Sequence, residues 1–239
     1  MIKYLLGITL LVCMSGCSTV RSTKLLAPDW FGFSKIDRDV YVDNQMPDEQ
    51  RQEFARTLNL ARGRVAGFFG GIEGGARVFA CATEACFVSH GGVGAEKGKA
   101  YGEFMLLLSP RGLDAVIVSH ELTHIELSHR VGTIRTWRAI PSWFQEGLAV
   151  FVSEDPRYTE NAWLKATDDG RNAPALNAIG AMLGKGDWQL SYGTARRKVG
   201  NWYRRAGRPG LEMLIAQVKA GNDFDSTFNA MPAPQSIAP

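Results

Sequence analysis

The sequence predicts an α+β fold: a small mixed sheet packed on one long helix, followed by a mainly helical C-terminal lobe. Three patterns carry that expectation. An apolar-striped segment fills residues 109–132, strand-like segments precede it at 77–88 and 101–108, and helical spacing returns from 142 onward. A chain of 239 residues with 45% hydrophobic content can bury a sizeable core, and one folded unit over residues 31–230 is expected. Its N-terminal lobe would cover roughly 31–132 and its C-terminal lobe roughly 133–230. The 27 basic and 24 acidic residues leave a net charge of +3, and no basic run is interleaved with aromatics. Nucleic acid is therefore not an expected partner.

Residues 1–16, MIKYLLGITLLVCMSG, have an early lysine, a short apolar core and then small residues, the layout of a secretory signal peptide. The following Cys17 completes "MSGC", which resembles a bacterial lipobox, with Met14 where leucine is usual. That resemblance implies cleavage before Cys17, lipidation of its thiol and attachment to a membrane. Ser18 in place of aspartate implies the outer membrane, with the protein facing the periplasm. A plain secretory signal with an incidental Cys17 is the alternative. Residues 17–30 read as lipidated cysteine and tether, and 231–239, MPAPQSIAP, as a flexible tail.

Once Cys13 leaves with the signal and Cys17 carries lipid, Cys81 and Cys86 remain. An even pair in an oxidising compartment is expected to form a disulfide, two reduced thiols being the alternative. The surrounding "RVFACATEACFVSH" reads as two short strands around a four-residue loop. Upstream, residues 47–69 have helical spacing in Phe54, Leu58, Ala61, Val65 and Phe68, ending in the glycine-rich "GGIEGG". "HGGVGAEKGKA" lacks the Gly-Lys-Ser/Thr ending and following helix of a phosphate loop, so it reads as a mobile loop with His90 solvated.

The long helix has sequence signals at both ends: Ser109 as a cap, Pro110 in the first turn and Gly132 at the C-terminus. Leu113, Val116, Ile117, His120, His124, Leu127 and Val131 share one stripe, placing two histidines on a face that otherwise points into the core. Four residues turn a helix by 400°, so His120 and His124 stand one above the other and can offer two nitrogens to one ion. Glu121 points about 100° away, where it could reach a water on that ion as a general base. His129, five residues on, turns away and reads as a helix-end histidine.

Downstream, "IPSWFQEGLAVFVSED" reads as a second helix with Ser142 and Gln145 as a capping box. It places Glu146 in the first turns of an apolar helix. Alone, Glu146 would read as a surface glutamate near a positive helix end. Together, H-E-x-x-H and, after 21 intervening residues, the glutamate of P-x-W-F-x-E-G-x-A resemble the gluzincin zinc metallopeptidases, in particular small bacterial peptidase MA-like proteins. The resemblance covers residues 104–228, including "SYGTARRKVGNWYRRAG" and "DFDSTF" as downstream helices.

What the resemblance implies is specific. The fold would be zincin-like, with His120, His124 and Glu146 binding one catalytic Zn²⁺ and Glu121 acting as base on a zinc-activated water. Tyr192 would hydrogen-bond the oxyanion, although a core or surface tyrosine is an equal reading of that position. The strand over 102–108 would rim the cleft, and the substrate would be a peptide or protein. A zincin-like binding or scaffolding lipoprotein without turnover, and a metal-free helical protein, are the competing readings. Neither the oligomeric state nor a choice between endopeptidase and exopeptidase follows from the residues.

Overall fold

A computed structural model describes residues 21–179 and 188–230; the expected signal peptide, Cys17 and the tail 231–239 lie outside them. Among the described residues the sheet has five strands: β1 (Phe33–Asp37), β2 (Val40–Asp43), β3 (Arg77–Ala80), β4 (Gly98–Tyr101) and β5 (Met105–Leu108). Their spatial order is β1-β2-β3-β5-β4. β2, β3 and β5 run parallel in the middle, and β1 and β4 close the edges antiparallel. Parallel central strands are covered on both faces, and their sequences are correspondingly apolar.

Alternation sorts those side chains. Val40, Val42, Val78, Ala80, Leu106 and Leu108 enter the large core beneath the helices, while Tyr41, Phe79 and Leu107 enter a smaller core on the opposite face. Leu25 and Phe87 complete the smaller core, both fully buried. The expected tether is thus partly folded: 23–31 forms two short 3-10 turns, Thr23–Leu26 and Pro28–Phe31, that cover the sheet.

The helices are α1 (Asp48–Phe69), α2 (Glu84–Ser89), α3 (Ala115–Val131), α4 (Thr133–Ala139), α5 (Ser142–Ser153), α6 (Glu160–Ala166), α7 (Trp188–Ala220) and α8 (Phe224–Ala230). α7 is broken at Gly207, and the next residue, Arg208, donates to the Gly67 and Phe68 carbonyls at the end of α1. One continuous core runs from Val40 to Phe228 through α1, α3, α5 and α7.

Four local expectations change. The second strand expected after Cys81 is α2, because Thr83 caps it by accepting from the Cys86 N–H. The single strand expected over 101–108 is the turn and β5, with β4 beginning earlier at Gly98. α3 starts at Ala115, where the Asp114 carboxylate accepts from Val116 and Ile117 N–H at 2.9 Å; Pro110 instead starts a separate 3-10 turn. Ser142 begins α5 without a capping box, since the Gln145 amide donates to the Thr136 and Ile140 carbonyls. Cys81 and Cys86 are joined as a disulfide, with Cα atoms 5.6 Å apart.

Candidate metal centre

α3 is buried on most sides, and its apolar residues Ile117, Val118, Leu122, Ile125 and Leu127 fix its rotation. The His120–His124 side is therefore left facing a cleft of about 530 Å³ rather than the core, which corrects the expected stripe. α5 crosses α3 and brings Glu146 to the same point. Its approach to α7 is close at Gly147, where a Cβ would stand 2.6 Å from the Ala195 carbonyl oxygen. The separation in sequence between the His pair and Glu146 is thus closed by helix packing.

The two Nε2 atoms of His120 and His124 are 3.2 Å apart, and they lie 3.3 and 3.6 Å from the Glu146 Oε2. A tetrahedral zinc with nitrogen and oxygen ligands at about 2.0–2.2 Å holds neighbouring ligand atoms about 3.3–3.6 Å apart. The three atoms have the size of one face of that tetrahedron, and two imidazoles with one carboxylate form a donor set that suits zinc. All three side chains line the cleft.

Electrostatics fit the same grouping. Burial works against charge on Glu146, but the His124 and His120 imidazoles overcome it and hold the carboxyl well below the carboxylate range. Burial also works against protonating His124, and there the Glu146 carboxylate wins and raises the imidazole. Glu121 is pushed up, first by burial, with both histidines opposing and Glu146 and Glu96 assisting.

The sign of these shifts predicts how the chelated protein responds to pH. The raised His124 and Glu121 contribute stability that is complete below their unfolded values of 6.5 and 4.5 and is lost as pH rises through the raised ones. The lowered Glu146 contributes above 4.5 and loses that contribution only in strong acid. In EDTA the melting temperature is expected to fall between pH 6 and pH 8. Differential scanning fluorimetry measures this, and a rise over that interval would contradict the assigned directions.

Tyr192, in the first turns of α7, lines the same cleft, its ring centroid 6.2 Å from that of His120. Burial, then the charges of Glu146, Tyr158 and Glu121, raise its phenol far above the ordinary value, so it stays a hydrogen-bond donor. Trp188 and Tyr158 flank it at ring distances of 5.8 and 5.2 Å. Tyr158 had no signal in the sequence. His129 does sit at the helix end, bonded through Nδ1 to Glu103 at 2.9 Å. His90 is not solvated: it is 6% exposed, with its ring between the Cys86 and Phe31 carbonyls.

The cleft wall is β4, not the 102–108 segment alone. Gly98 lies so close to the motif helix that a Cβ there would stand 2.7 Å from Glu121 Cγ. Gly98→Ala should therefore displace the Glu121 carboxylate while the His120, His124 and Glu146 atoms stay in place. Sequence reading treated Gly98 as loop. Thr136 and Trp137 also line the cleft, Thr136 with a buried hydroxyl that has no partner and Trp137 with an indole 77% exposed.

No family model, curated protein or solved structure matches the chain.

Proposed function

We propose that the chain is a zinc-dependent peptidase of zincin-like fold, tethered by lipid at Cys17 to the outer membrane and facing the periplasm. The observation that carries this reading is the triangle of His120 Nε2, His124 Nε2 and Glu146 Oε2, sized for one zinc, with Glu121 on the adjacent helix position. A zinc ion bound there would supply a Lewis acid that polarises a peptide carbonyl and acidifies water.

The chain's own groups divide the remaining work. Glu121, one helix position from His120 and with a carboxyl that burial pushes above the ordinary value, is suited in its ionised form to take a proton from the attacking water and pass it to the leaving amine. Tyr192, lining the cleft as a neutral phenol, would donate a hydrogen bond to the oxygen that becomes negative. Among the described residues no strand pairs with the outer edge of β4, whose main-chain groups could pair with an extended peptide. Displacing Glu121 through Gly98→Ala is expected to lower turnover about 10²-fold with zinc retained, read by a peptide assay beside metal analysis.

The test of the site is metal content by elemental mass spectrometry. Wild-type protein is expected to hold about one zinc per chain, and His124→Ala and Glu146→Ala are each expected to lose it. Retention of zinc by Glu146→Ala would remove the distant glutamate from the ligand set. Zinc without hydrolysis of any peptide would leave a binding module on the same fold.

A further inference from the structure

The described residues begin four positions after the proposed lipid attachment at Cys17, and the first elements expose several large apolar side chains. Leu26 is 67% exposed, Trp30 88% and Phe31 42%, with Val88 on the neighbouring α2 at 38%. These residues are not on a loose arm. Leu25 is fully buried between them, its carbonyl accepts from the Arg77 guanidinium, and the Gly32 carbonyl accepts from the Asn44 N–H at 2.8 Å. The Lys24 ammonium donates to the Ser89 carbonyl at 3.2 Å and lies 5.9 Å from the Phe31 ring centre, which places the turns against α2. A clamped segment that holds large apolar groups in water marks a contact surface.

Chain length identifies the occupant. Four residues span at most about 14 Å, so a lipid on Cys17 would hold Arg21 within that distance of the bilayer. Tryptophan and phenylalanine with a nearby ammonium suit the interface between headgroups and acyl chains. We propose that Leu26, Trp30, Phe31 and Val88 rest in the membrane interface, so that the sheet face opposite the helical core lies against the bilayer. This rests on the lipid-anchor reading above. A lipid on Cys17 would fix the chain to the membrane at one point only, and the patch would add a second contact that sets its orientation.

The test uses the full chain in phosphatidylethanolamine–phosphatidylglycerol vesicles, with and without brominated acyl chains, which quench tryptophan in contact with them. Wild type is expected to lose part of its emission on bromination, and Trp30→Phe is expected to abolish that loss while Trp137→Phe preserves it. Intact mass reads the lipid separately: quenching at Trp30 in a chain without lipid mass would remove the anchor and keep the patch. Equal quenching in wild type and Trp30→Phe, or none in a vesicle-bound wild type, overturns the proposal. A dimer in sedimentation that forms without vesicles and is lost in Trp30→Ser would also overturn it, assigning the patch to a second copy of the chain.

Discussion

Glu121→Gln is expected to keep about one zinc per chain while peptide hydrolysis falls by about 10²- to 10⁴-fold, the span that a positioned acid–base group contributes. Glutamine fills the same volume against Gly98 and disturbs neither imidazole, so the ligand triangle should survive. It cannot accept and release a proton. A quenched-fluorescence peptide library read beside elemental analysis separates the outcomes. Loss of zinc together with activity would mean that Glu121 supports the metal, and unchanged hydrolysis would remove it from the chemistry.

The largest expected stability change lies about half a turn beyond His124. Glu126 is 1% exposed and accepts from the Glu73 and Gly74 N–H groups at 3.0 Å and from Arg130 Nε at 2.7 Å. Arg130 in turn donates to the Gly71 carbonyl and packs over the Phe69 ring. The pair ties the 70–75 loop to α3. Glu126→Ala strands a mostly buried guanidinium and two amide groups, a change that costs about 3–5 kcal/mol. For a domain of this size that corresponds to a melting temperature lower by roughly 6–20 °C. Zinc stoichiometry below the transition should be unchanged, and a loss under about 1 kcal/mol would show that the loop re-pairs with water.

Much of this architecture was legible because strong signals coincided. Phe54, Leu58, Ala61 and Val65 repeat at the helical period, and Asp48–Phe69 is the resulting helix. Histidines four residues apart must share a helix face, and the apolar character of α5 left Glu146 few places to go. What was hidden depended on competition between local signals. Pro110 and Asp114 both announce a helix start, and the carboxylate that bonds two amides prevails. Phe87 and Val88 suit a strand, but Thr83 caps a helix and the Cys81–Cys86 bond closes the turn before it. Glu126 carried no signal in the sequence because its partners, the amides of Glu73 and Gly74, lie 53 and 52 positions away. Gly98 carried no readable role until the sheet placed it beside Glu121.

The open edge of β4 also sets a scale for anything that docks along it. Four residues at about 3.3 Å each make a ledge near 13 Å long, and alternate residues of an antiparallel strand turn both main-chain groups outward. Only two residues of that ledge therefore offer a grip. A stretched segment of about four residues can use all of it, whereas a helix has already spent its amides and carbonyls on itself. On the proposed reading the cleft would select by chain conformation before any side chain is read: extended tails and linkers could pair along it, and a helical surface could not.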